Sequence, residues 1–168
     1  NAGRYTRRDF TIGAGRRGDL RATIAAVLLD DEARDRAKTA DPTFGKVREP
    51  VLRLAAWMRA FNSRSTSGSF LLGTTDDAAT SLGQSAMRAP SVFNFYRPGY
   101  VPPNTAIATA DLVAPEFQIV HESSVAGYAN FMNTAVRSGV GNSTGGVRDI
   151  QPEYSAEIAL ADNADSLI

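Results

Sequence analysis

Apolar positions recur with helical spacing in three stretches of the chain. The clearest is 48–61, where Pro50 fits the first turn of the predicted helix. A second helix is predicted from about Leu20 to Asp30, with Asp19 as its N-cap. A third is predicted from Pro115 to about Val136. The side chains expected to face inward are Leu20, Ile24, Val27 and Leu28 in the 20–30 helix, Val51, Leu54, Ala55, Met58 and Phe61 in the 48–61 helix, and Phe117, Val120, Ser124, Tyr128, Phe131 and Ala135 in the 115–136 helix.

The remaining stretches carry weaker patterns. Short helices are predicted at about 76–87 and 154–168, and no stretch alternates long enough to predict a strand. Residues 1–18 are expected to form an irregular arm, and the glycine-rich stretch 139–153 a flexible linker before the last helix. We therefore expect one mostly α-helical, irregular domain over residues 1–168, with long Pro/Gly-rich connecting loops and no substantial sheet.

Composition excludes several kinds of chemistry. The chain has no cysteine and a single histidine, so disulfides, thiol catalysis and cysteine-ligated metals are excluded and no metal site or cofactor is predicted. The 18 basic and 18 acidic side chains cancel, which argues against a nucleic-acid partner. No apolar run is long enough to span a membrane.

The charge is unevenly distributed along the chain. There are 14 basic and 8 acidic side chains through Arg64, against 4 and 10 after it. Either these two parts dock on each other, or the basic part meets an anionic partner, and the first interpretation is preferred.

Three short motifs resemble those of known active or binding sites. Residues 13–18 match the glycine-rich dinucleotide loop, but the buried parallel strands that it requires are not predicted. Residues 141–145 match the nucleophile elbow of hydrolases, but follow a helix, and the only histidine precedes them. His121 and Glu122 begin a zinc-protease motif whose second histidine is replaced by Val125.

Ionisable residues leave one catalytic hypothesis open. His121 could act as a general acid or base if a nearby carboxylate raised its pKa. The alternative is a packing residue beside the apolar stripe. The catalytic candidates are His121, Glu122, Glu116, Glu49 and Arg48.

The segment 89–103 combines aromatic residues with prolines, which makes a stiff loop with much apolar area. It is either a platform for a sugar ring or a partner peptide, or a loop pinned across helix ends as part of the core. The candidate binding residues are Phe93, Phe95, Tyr96, Arg97 and Tyr100.

Five blocks of sequence together resemble the bacterial family catalogued as domain of unknown function 1800. In chain order they are LLDDEAR (28–34), GKVREPVLR (45–53), LGQ (82–84), PSVFNFYRPGY (90–100) and APEFQ (114–118). The resemblance implies a largely helical protein, of which this chain would be a C-terminal portion, and an exported location, periplasmic or extracellular. The family has no established activity, so no catalytic residue is carried over. One departure is Asp31, where the family usually has proline.

Two functional classes follow. The first is an extracytoplasmic interaction or scaffold component with one or more protein partners. The second is a hydrolase-like enzyme or accessory subunit with an Arg/Glu/His site. Clustering of Glu49, Arg97, Glu116 and His121 around one pocket would favour the enzyme.

Overall fold

The computed structural model describes residues 3–7 and 10–161, and the chain divides into two units, Asn1–Gly45 and Lys46–Ile168. The first unit contains strands β1 (Tyr5–Arg7) and β2 (Phe10–Ile12), helices α1 (Leu20–Leu29) and α2 (Asp31–Arg34), and a 3-10 helix, Arg36–Ala40. The second contains helices α3 (Pro50–Ala60), α4 (Ala106–Thr109), α5 (Glu122–Ser138) and α6 (Ser155–Leu160), strands β3 (Arg64–Ser65), β4 (Val140–Thr144) and β5 (Val147–Gln151), and a 3-10 helix, Pro115–Gln118.

The prediction of an irregular arm over residues 1–18 is wrong, because β1 and β2 form an antiparallel pair. Tyr5 lies opposite Ile12, and the Tyr5 and Phe10 rings meet edge to face with centroids 6.5 Å apart. Aromatic and β-branched residues favour such pairing even in strands of three residues, which are too short for alternation to reveal.

Helix α1 begins where the sequence predicts, because the Asp19 side chain accepts a hydrogen bond from the Ala22 N–H. The prediction of its inward face is wrong. Ala22 and Ala25 are the buried residues of this helix. The large apolar side chains expected to face inward are exposed: Leu20, Ile24, Val27 and Leu28.

The second unit has a small apolar core to which α3 and α5 contribute. It is formed by the buried residues Leu54, Leu82, Ala135, Val140 and Ile150. Pro50 occupies the first turn of α3, as predicted. Helix α5 starts later than expected, since Pro115–Gln118 is a separate 3-10 helix and His121 is the N-cap of α5.

The stretch 139–153, predicted to be a flexible linker, contains the β4–β5 hairpin. Its strands belong to a three-stranded antiparallel sheet of order β3-β5-β4, with Ile150 opposite both Ser65 and Val140. The glycines that suggested flexibility instead supply the positive φ angles that the hairpin requires, for example 87° at Gly141 and 60° at Gly145.

The mostly helical fold class with no substantial sheet is therefore also wrong. Of the described residues, 39% are helical and 11% are in strands, which form two small antiparallel sheets.

The two short predicted helices also differ from the structure. The stretch 76–87 is a series of turns. Helix α6 covers only part of 154–168, of which 162–168 lie outside the described residues. Among the described helices, none is long and apolar enough to cross a membrane.

Candidate functional site

A polar cluster at the start of α3 brings together two of the predicted catalytic residues. We call Glu49, Gln84, Tyr96 and Glu116 the carboxylate cluster. The Gln84 side chain donates a hydrogen bond to Glu49 Oε2 and accepts one from the Val51 N–H at 3.2 Å. Gln84 thus connects the first turn of α3 to the loop that contains Thr75 and Gln84.

The loop itself holds Gln84 rigidly. Thr75 donates its hydroxyl to the Gln84 carbonyl at 2.7 Å and accepts the Gln84 N–H with its own carbonyl at 3.2 Å. Thr75, Gln84 and Glu116 are all buried. Buried polar side chains need such partners, so these hydrogen bonds fix the loop.

Tyr96 lies close to both carboxylates. Burial and the neighbouring Glu49 carboxylate raise the pKa of Tyr96 to about 12, with a further contribution from the charge of Glu116. The phenol therefore stays protonated at physiological pH and donates its hydrogen bond to Glu49.

The other catalytic candidates do not join this cluster by any described contact. Arg48 is exposed, and its carbonyl accepts a hydrogen bond from Arg53 Nε at 2.8 Å. Glu122 is exposed in the first turn of α5. His121 is exposed, and its N–H donates to Ser124 Oγ at 2.8 Å. It serves as a helix cap rather than as a packing residue.

The candidate binding residues divide into anchored and exposed positions. Phe95, Tyr96 and Tyr100 are half-buried, whereas Phe93 and Arg97 are exposed. The Arg97 N–H donates to Gln118 Oε1 at 2.8 Å, and the Tyr100 carbonyl accepts the Ala114 N–H at 2.9 Å. The end of the segment is thus fixed to Ala114 and to the 3-10 helix Pro115–Gln118, while its start projects apolar side chains outward.

The glycine-rich loop at 13–18 does lie between a strand and a helix, but one of its amides and one of the helix's first amides already bind a carboxylate. Asp19 Oδ2 accepts the Ala14 N–H at 2.7 Å, and Asp19 Oδ1 accepts the Ala22 N–H at 3.2 Å. The carboxylate occupies the helix N-terminus where a phosphate would bind. The preceding β2 is paired antiparallel to β1 rather than in a parallel sheet.

The nucleophile-elbow match also lacks its context, since Ser143 lies within β4 of a hairpin. Among residues 3–7 and 10–161, no group of three or more histidine or acidic side chains is placed to hold a metal ion.

Sequence reasoning missed Gln84 and Thr75. Nothing in their spacing indicates a site. In the sequence, Gln84 stands out only as part of the block LGQ (82–84), which resembles the family. Its role depends on a loop of turns that periodicity cannot describe.

The fold and these contacts define a second unit of helices and a three-stranded sheet, with a polar cluster and an anchored aromatic segment. The chain belongs to the family described as protein of unknown function (DUF1800), which matches residues 6–166. No curated protein and no solved structure matches the chain.

Proposed function

We propose that this protein is an interaction component of a larger assembly, and that it contacts a protein partner through an apolar strip formed by Met87, Val92 and Phe93. The observation that carries the proposal is their exposure: 102% for Met87, 95% for Val92 and 69% for Phe93. Single exposed apolar residues are ordinary, but several along one short segment are typical of a contact surface.

Backbone geometry supports the same proposal. Met87 has a φ of 60°, which is unfavourable for a residue with a long side chain, and it gains no burial in return. Such strain is concentrated at functional sites. The nearby Asn94, at 68°, is a residue type that tolerates this conformation.

The segment is also anchored on either side of Val92 and Phe93. Arg88 forms an ion pair with Asp76 at 2.9 Å, and the Arg97 N–H donates to Gln118. A segment that is already ordered loses less conformational entropy on binding, so its apolar side chains can contribute more affinity.

A periplasmic or extracellular location is part of this proposal and rests on the family resemblance. The hydrolase-like alternative draws its support from the carboxylate cluster, where Glu49 and Glu116 lie near the Tyr96 phenol. It receives less support than the interaction role because Arg48, His121 and Glu122 are exposed and have no described contact with the cluster.

The experiment is site-specific photo-crosslinking in the organism that produces the protein. A photoreactive phenylalanine at position 93 should yield a discrete crosslinked product, and the changes Met87→Ser and Val92→Ser should abolish it. The matched control is the same probe at Val147, which is exposed in β5. A protein that stays monomeric and uncrosslinked at position 93 contradicts the proposal.

A further inference from the structure

A cavity of about 330 Å³ lies between α5, the loop 72–75 and the β4–β5 hairpin. This volume falls at the lower end of the ~300–1,000 Å³ typical of small-molecule sites. A register shift between Val140 and Ser143 bends β4 at the cavity. Gly141 lines the cavity with a φ of 87°, a backbone conformation that favours glycine.

Arg148 is the charged side chain of this cavity. Its Nη1 donates to the Gly141 carbonyl at 2.9 Å, which positions the guanidinium at the wall. Among the described residues, no carboxylate pairs with Arg148, and no aspartate or glutamate lines the cavity. Because a guanidinium has five N–H donors, four remain for a ligand.

Neutral polar side chains also line the cavity, beside apolar ones. The Asn130 carboxamide and the Thr74 hydroxyl make no hydrogen bond among the described residues. Thr134 donates its hydroxyl to the Asn130 carbonyl at 3.1 Å, and the Thr134 oxygen can still accept. Phe131 adds an apolar ring surface.

We propose that this cavity binds a hydroxylated carboxylic acid of about monosaccharide size. Arg148 offers a planar fork that matches a carboxylate, while Asn130 and Thr74 offer partners for hydroxyl groups. The apolar face of a sugar ring would rest on Phe131. A single arginine, with no helix N-terminus among the lining groups, suits one negative charge better than a phosphate dianion. The neighbouring Asp77, which accepts the Thr80 hydroxyl at 2.6 Å, adds negative charge that further disfavours a dianion. This site is separate from the apolar strip and stands without it.

Isothermal titration calorimetry on the full chain tests the proposal, with D-galacturonate, D-galactose and inorganic phosphate as probes. D-Galacturonate should bind, and D-galactose should bind at least about tenfold more weakly because it lacks the charge. Arg148→Gln should weaken D-galacturonate binding by about 10- to 100-fold. Asn130→Ala should weaken D-galacturonate binding by about fivefold. Because Asn130 is an exposed position of α5, this second variant keeps the fold and tests the site even if Arg148→Gln does not fold.

The matched control is Arg137→Gln, which removes the same charge from the last turn of α5 outside the cavity and should leave binding unchanged. The proposal is overturned if D-galacturonate does not bind the folded protein, or if D-galactose or phosphate binds as tightly. It is also overturned if Asn130→Ala leaves D-galacturonate binding unchanged, or if Arg137→Gln weakens it as much as Arg148→Gln does.

Discussion

Helices α1 and α3 are similar in length, but they pack through side chains of different size. Helix α3 completely buries Leu54, whereas the buried residues of α1 are Ala22 and Ala25. A β-carbon built on Gly13 would lie 2.7 Å from the Ala22 β-carbon, so the loop before α1 approaches that helix closely. Helix α3 is therefore held by the volume of a leucine, and α1 by close contact between small residues.

The largest expected effect comes from removing that volume in α3. Leu54→Ala should lower the free energy of unfolding by about 2–5 kcal/mol, because it leaves a cavity in the core. Leu28→Ala in α1 should change it by no more than about 0.5 kcal/mol, since Leu28 is exposed. Urea denaturation of both variants measures the difference. Equal losses would mean that α1 buries its apolar face after all.

The reverse change should affect α1. Ala22→Leu should lower the free energy of unfolding by about 1–3 kcal/mol, because Ala22 is fully buried and has no room for added carbons. Val27→Leu, which enlarges an exposed position of the same helix, is the control and should be nearly neutral. Backbone amide exchange in α1 reports the local effect. A neutral Ala22→Leu would show that the contact with Gly13 is not close.

The contrast between these helices also explains which parts of the molecule are predictable from sequence. Helical spacing and an N-cap are local properties, so α1 and α3 are predicted with nearly correct bounds. The surface that each helix packs against depends on residues distant in sequence. The inward face of α1 therefore could not be predicted from its own spacing. The two hairpins were missed because their strands have five residues or fewer and their glycines resemble those of linkers.

The candidate site follows the same division. Glu49 and Glu116 are candidates from the sequence because they are ionisable, and the fold brings both near Tyr96. Gln84 and Thr75, which organise that cluster, act through loop contacts between residues up to 35 positions apart. No pattern along the chain indicates such contacts.

The two helices also have different ionisable groups at their N-termini: Asp19 at α1, and Glu49 with its neighbour Tyr96 at α3. These groups predict opposite responses to pH. Hydrogen bonds from the backbone N–H groups of Ala14 and Ala22 lower the pKa of Asp19 at the start of α1. A lowered carboxyl pKa stabilises the fold above the ordinary value of 3.8, and this contribution is lost as the pH falls through the folded-state pKa. We expect α1 to lose amide-exchange protection at acidic pH.

Asp19→Ala tests this expectation. The variant should be less stable than the wild type at pH 7, and the difference should shrink as the pH falls below 3.8 and through the lower pKa of the folded-state carboxyl. Urea denaturation at pH 7 and at a pH below 3.8 measures this difference in stability. Asp111→Asn is the control, because this exposed residue has a φ of 54° that asparagine also tolerates. A difference that is independent of pH would show that the charge of Asp19 does not contribute.

The start of α3 should instead respond to alkali, through Tyr96. Because its pKa is raised from 10.0 to about 12, the neutral phenol stabilises the fold fully below pH 10, and this contribution is lost as the pH rises towards 12. Ultraviolet absorbance of tyrosinate should show a late-titrating component in the wild type that is lost in Tyr96→Phe. Glu49→Gln should lower the late pKa only in part, since burial is the larger cause. If the wild type has no late-titrating tyrosine, the carboxylates do not lie close to a buried Tyr96, and the hydrolase-like alternative loses its support.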